Sequence, residues 1–236
     1  METNVFADKL ELARFFGNYI AELSKQQKPV NIALSGGSTP QSIFDVLAKE
    51  YAEKINWQSL RFFWSDERCV APSHQDSNYR MAEQHLFSHI DVPEHNIFRI
   101  KGELSPEAAC DDYIRTIKRE VAMAEKWPVF DLMLLGMGDD GHTASIFPYQ
   151  IKLWNSPQIC VTGTHPISGQ KRITLTGGVI NSSKKIFFLV TGANKAEKVR
   201  EIINKTGAYT DYPASKTDPA KTLWLLDKPA AQLLDV

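Results

Sequence analysis

The chain has 236 residues, 43% hydrophobic and 10% aromatic, enough to bury one sizeable core. Its 27 basic and 28 acidic residues leave a formal net charge of -1, which argues against a nucleic-acid footprint or a polybasic membrane surface; a local basic pocket for a small anion remains open. Cys69, Cys110 and Cys160 lie far apart with no C-x-x-C pair, so neither a disulfide framework nor a cysteine zinc site is expected, and a reducing cytoplasm fits.

The opening "METNVFADKLELARFF" alternates charged with apolar residues, and no run reaches bilayer-spanning length, so a soluble, unprocessed protein is expected. Leu10, Ala13, Phe16, Ile20 and Leu23 recur at steps of three and four, which predicts an amphipathic helix over 7–26. Four short apolar runs then end in polar or glycine-rich turns: "PVNIALS" before Gly-Gly, "LRFFWS" before Asp-Glu-Arg, "VFDLMLLG" and "KKIFFLVTG". Each reads as a buried strand followed by a turn. Helical stretches fall between them at 40–50, 77–88, 105–125 and 194–204, and "RITLT" (172–176) and "TLWLLD" (222–227) read as further strands. Residues 149–171 are the least regular. No repeat, low-complexity segment or boundary interrupts the chain, so residues 1–236 are expected to form a single α/β domain. Strands alternating with helices predict a mainly parallel, Rossmann-like sheet covered on both faces, with ligands gathered at the carboxyl ends of its strands.

Four turns at those ends carry the chemistry. In "LSGGSTP", Gly36 and Gly37 let the backbone turn tightly, Ser38 and Thr39 offer hydroxyls, and Pro40 suits a first helical turn. Such a turn either cradles a phosphate on free helix-start amides or is an ordinary capped strand-to-helix connection. The G-x-x-x-x-G-K-[ST] and G-x-G-x-x-G patterns are absent, so ATP and NAD are not indicated. "VTGANKAEK" places Lys195 in the first turn of a helix, where a cation is unfavourable unless an anion offsets it. Arg172 beside "ITLT" reads alone as a solvated charge. Asp66, Glu67 and Arg68 follow a buried strand and either pair locally or face a ligand, while "DSNYRMA" reads as a helix start capped by Ser77 or Asn78.

The fourth turn, "GMGDDGHTASIFP", puts His142 among glycines where packing does not account for it. An imidazole there can accept a proton from water, with Asp140 holding its tautomer, and Asp139 and Asp140 can equally be turn formers. Metal binding is the rival use. His85 and His89 are spaced i, i+4 but lack an H-E-x-x-H glutamate and read as surface residues, so no metal site is expected. No G-x-S-x-G elbow supports a serine hydrolase.

Through "SGGSTP", "SDER", "SNYRMA", "GMGDDGHTASIFP", "RITLT", "GANKA" and "YPAS", in order and over nearly the whole chain, the sequence resembles the 6-phosphogluconolactonases of the glucosamine-6-phosphate isomerase/6-phosphogluconolactonase superfamily. "GHTASIFP" lacks the Asn-Glu pair of the isomerase/deaminase branch, and Tyr149 and Gln150 stand where Gly-His is common. The resemblance implies hydrolysis of 6-phospho-D-glucono-1,5-lactone to 6-phosphogluconate in the cytoplasm, without a cofactor, nucleic acid or membrane, by a monomer or weak homo-oligomer. It implies His142 as general base and Asp140 as its orienter. Arg68 is implied as a sugar or phosphate contact, and Gly36, Gly37, Ser38, Thr39, Arg172 and Lys195 as the phosphate shell. Asp66 corresponds to an acid of the isomerase relatives and is expected at the substrate. An aldose-ketose isomerase/deaminase using Asp66 as proton shuttle, and a non-catalytic sugar-phosphate sensor, are the alternatives.

Overall fold

Short runs that are apolar on both faces and bounded by turn residues suit interior strands of a covered sheet, and the computed structural model, which describes residues 1–235, places them there. In chain order the regular elements are Glu2–Phe6 (β1), Lys9–Leu23 (α1), Val30–Leu34 (β2), Ser38–Glu50 (α2), Leu60–Trp64 (β3), Asp66–Arg68 (β4), Asn78–His85 (α3), Pro106–Glu120 (α4), Met123–Ala124 (β5) and Trp127–Pro128 (β6). There follow Leu132–Leu135 (β7), Cys160–Thr164 (β8), Lys171–Leu175 (β9), Gly177–Ser182 (α5), Ile186–Val190 (β10), Ala196–Asn204 (α6), Thr222–Asp227 (β11) and Lys228–Ala231 (α7). Strands β2, β7 and β10 are buried along their whole length.

Six strands form one parallel sheet in the order β1-β11-β10-β7-β2-β3, with helices packed along it. The chain leaves β2 for β3 on one side and returns to β7 on the other, which makes the carboxyl ends of β2 and β7 the switch point where open parallel sheets leave a crevice. The four strands that carry the polar turns, β10, β7, β2 and β3, are consecutive neighbours, so the turns after them converge.

The structure departs from the sequence expectation in several places. "ETNVF" forms the edge strand β1, paired with β11 at the other end of the chain, although its own pattern is too exposed to announce a strand. "RITLT" does not extend the parallel sheet. As β9 it joins a separate antiparallel sheet in the order β4-β9-β8, because the strand-like "DER" after β3 and the half-apolar "CVTGT" inside the irregular region supply its partners. The remainder of that region includes a 3-10 segment over Pro148–Asn155. The helix expected over 105–125 ends at Glu120, where the chain turns into the two-residue strands β5 and β6 with Glu125 in the left-handed region. Helix α3 is shorter than expected, ending at His85, with a separate 3-10 turn over Phe87–His89.

Among the described residues no helix is long and apolar enough to cross a membrane. The buried Tyr113 hydroxyl of α4 accepts from Trp64 N and donates to Trp64 O, both at 2.8 Å, fixing the end of β3 just before the site begins.

Candidate active site

Alternation along a strand sends Asp66 and Arg68 to one side of β4 and Glu67 to the other. Glu67 is buried and accepts from the backbone N–H groups of Arg68 (2.8 Å), Asn78 (2.7 Å) and Tyr79 (2.8 Å) and from the Ser77 hydroxyl (3.1 Å). Burial pushes its carboxyl above the ordinary range, with the backbone donors pulling against it. Glu67 thus pins the start of α3, where Ser77 is the cap, and leaves Asn78 free to donate to Asp66 O at 3.0 Å.

Asp66 and Arg68 face a cavity of about 170 Å³ together with Ser35, Gly36, Asn78, His142 and Arg172. Asp66 is 4% exposed and accepts from the Ser145 hydroxyl at 2.5 Å, which ties β4 to the histidine loop. Arg68 and Arg172 are direct cross-strand partners on β4 and β9. Like charges so placed repel, and the Nε of each is buried without a hydrogen-bond partner. Burial lowers the Arg172 pKa, Asp66 opposing and Arg68 adding to the shift, so Arg172 is no solvated surface charge.

The loop after β7 folds on itself: Gly138 N donates to His142 O (2.9 Å), and the Thr143 hydroxyl donates to Gly136 O (2.9 Å). Asp140 Oδ1 accepts from His142 N at 3.0 Å and lies 2.6 Å from His142 Nδ1. Burial alone would raise the Asp140 pKa, but the hydrogen bond and charge of His142 outweigh it and hold the carboxyl below its usual range. Packing does fix the imidazole, contrary to the sequence expectation. Its ring sits 4.5 Å from the Phe147 centroid, and a Cβ at Gly138 would come within 2.1 Å of Nδ1. Phe147 also carries Arg172 over its ring at 5.7 Å and His165 edge-on at 5.4 Å. On the far side of the loop, the Tyr212 ring of "YPAS" fills the space beside Gly141 that any side chain would need, and Ala214 N donates to Gly141 O at 3.1 Å.

A second cavity, of about 160 Å³, adjoins the first and shares Gly36, Gly37, Gly136 and Met137 with it. Ser38, Thr39 and Lys195 line it. Gly37, at φ +106°, turns the chain into α2, whose N-terminus carries no side-chain cap, so its first amides are available to an anion. The Thr39 and Thr191 hydroxyls are 2.8 Å apart. Lys195 ends a 3-10 turn and stands as N-cap of α6, one residue before the helical turn expected for it. Its ammonium is paired with Asp139, so that carboxylate is more than a turn former.

The expected residues therefore divide between two chambers. His142, Asp66, Arg68 and Arg172 line one, with Asp140 behind His142; Ser38, Thr39 and Lys195 line the other, and Gly36 and Gly37 both. Asn78, expected as a possible helix cap, and Asp139, expected as a turn former, stand at the site as well, and so does Phe147, for which only its place inside "GMGDDGHTASIFP" was a signal. His85 lies apart against Asp45, and among the described residues no group of three or more His, Cys, Asp or Glu is placed to hold a metal ion.

The family model for glucosamine-6-phosphate isomerases/6-phosphogluconolactonase matches residues 7–224. The 6-phosphogluconolactonase of Treponema pallidum is 42% identical over 225 residues, covering 95% of this chain and 93% of that protein. That of Haemophilus influenzae is 44% identical over 214 residues, covering 89% and 90%. Among solved structures, the devB protein superposes with a TM-score of 0.94 at 40% identity, covering 99% of both chains. The 6-phosphogluconolactonase of Trypanosoma brucei gives 0.84 at 29% identity, covering 99% and 98%.

Proposed function

The chain belongs to the glucosamine-6-phosphate isomerase/6-phosphogluconolactonase family, and we propose that it hydrolyses 6-phospho-D-glucono-1,5-lactone to 6-phosphogluconate in the pentose phosphate pathway with His142 as general base. The observation that carries the second half of this reading is the 2.6 Å contact of His142 Nδ1 with Asp140. A carboxylate there favours the tautomer with the proton on Nδ1, which leaves Nε2 as the acceptor for a proton from water.

The reaction then runs between the two chambers. Water attacks C1 of the lactone as Nε2 takes its proton, and the developing oxyanion is met by Arg68 and Arg172, whose mutual repulsion an anion relieves. The C1–O5 bond breaks, and the imidazolium returns its proton to the departing ring oxygen. The product carries a carboxylate at one end and a phosphate at the other, matching one cationic chamber for each. With His142 beside Arg172, the phosphate falls to Lys195, Ser38, Thr39 and the α2 amides. Arg172 is thereby reassigned from the phosphate to the reacting end. Asp66 is the acceptor for a sugar hydroxyl. All of these groups come from one chain, so the reading needs a single domain and no second copy.

His142→Asn tests it. Turnover should fall by about 100- to 10,000-fold, with 6-phosphogluconate still bound within a few-fold of wild type. Near-normal hydrolysis, corrected for spontaneous lactone opening, would reject the base assignment. Turnover of glucosamine 6-phosphate in place of the lactone would move the chain to the isomerase/deaminase branch.

A further inference from the structure

The two neighbouring carboxylates of the histidine loop hold side chains of different chambers. Asp140 turns to the His142 ring, while Asp139 turns to Lys195, which lines the phosphate chamber: its Oδ1 accepts from the Lys195 ammonium and from Asn194 Nδ2 at 2.8 Å. The Lys195 side chain is 19% exposed and that of Asp139 is 71% exposed. A shielded lysine at a helix start requires a counter-ion. The protein supplies one from a side chain that water can receive when it leaves.

We propose that Asp139 is an internal substitute for the substrate phosphate: it occupies Lys195 while the chamber is empty and must be displaced on binding, so it lowers the apparent affinity of every ligand that needs Lys195. This rests on the assignment of the phosphate to the Lys195 chamber. A phosphate monoester brings two charges and three acceptor oxygens to Lys195, the α2 amides and the hydroxyls of Ser38 and Thr39. Asp139 brings one carboxylate to Lys195 and Asn194 alone, and it regains full hydration when released. The phosphate therefore wins the exchange. Apparent affinity is reduced by the fraction of molecules in which Lys195 is engaged. Holding Lys195 in place also spares the empty protein an unpaired, partly buried ammonium.

The test is calorimetric titration of inorganic phosphate into the wild-type protein, Asp139→Asn, Lys195→Ala and the double variant, with folding checked by circular dichroism. Asp139→Asn should bind phosphate about two- to fivefold more tightly, the factor expected for freeing a lysine from an exposed ion pair. Asp139→Ser should reproduce the gain, which guards against a special effect of the amide. In the Lys195→Ala background the Asp139 substitution should do nothing further, and binding of unphosphorylated gluconate should be the same with or without Asp139. Unchanged or weaker phosphate binding by Asp139→Asn would overturn the proposal and make Asp139 an aid to binding. A gain that persists without Lys195 would overturn it in favour of a general charge effect. Phosphate binding that survives Lys195→Ala undiminished would instead remove the chamber assignment beneath it.

Discussion

Arg68 and Arg172 stand directly opposite each other across the antiparallel pair β4–β9, each with a buried Nε that no protein group satisfies. The Arg68 guanidinium donates to Asp76 O, and the buried Asp66 offsets part of the repulsion between the two arginines, so a further anion at their free donors would relieve the rest.

Arg172→Ala should therefore lower kcat/KM for the phosphorylated lactone and for its unphosphorylated analogue alike. A charge-assisted contact contributes roughly 1.5 to 3 kcal/mol, or about 10- to 150-fold. Lys195→Ala should penalise the phosphorylated substrate alone, mainly in KM. Steady-state kinetics on both lactones separates the two. A loss confined to the phosphorylated lactone in Arg172→Ala would return that arginine to the phosphate.

Asp140→Asn should reduce turnover by less than His142→Asn does, since it removes the orientation and charge support of the base and leaves the imidazole in place. It also gives a sign for stability. The Asp140 carboxyl is held below its ordinary range in the folded protein, so its contribution is present above the unfolded carboxylate pKa and is lost as pH falls through the depressed folded value. The Tm difference between wild type and Asp140→Asn should be positive near neutrality and shrink in acid. A difference that grows on acidification would contradict the assignment.

Gly138→Ala tests the packing of the base. The added methyl would meet His142 Nδ1 at 2.1 Å and Asp140 Oδ1 at 2.8 Å, so the ring must move. A displacement of about 1 Å at a reacting group can cost on the order of 100-fold in rate. The expected outcome is a large fall in kcat with product affinity retained, read by kinetics and by 6-phosphogluconate titration. Wild-type kcat would show that the ring position does not matter.

Prolonged chelation, with metal removal verified by elemental analysis, should leave lactone hydrolysis unchanged, because His142 is committed to Asp140 and no third His, Cys, Asp or Glu completes a ligand group among the described residues. Activity lost to the chelator and restored by a divalent ion would require a metal in the mechanism.

The sequence by itself determined the parallel α/β core and the edge of it at which the polar turns gather. Strands such as "LMLL" and "IFFLV" are apolar on both faces, and such short runs between helical stretches suit a covered sheet; polar, glycine-rich turns at their ends then mark its polar edge. The pairing of His142 with Asp140 was legible for the same reason, since two residues two apart in a tight loop can meet without help from the rest of the fold. What the sequence could not contain was anything set by contacts between distant segments. Strand β1 exists because β11, more than 200 residues later, offers it an edge. Arg172 lines the His142 cavity because β9 pairs with β4 in a second sheet and is thereby carried there. Lys195 meets Asp139 across 56 residues of chain. Local propensity has no term for such partners; burial and charge pairing select them only once the sheet order has brought the loops together.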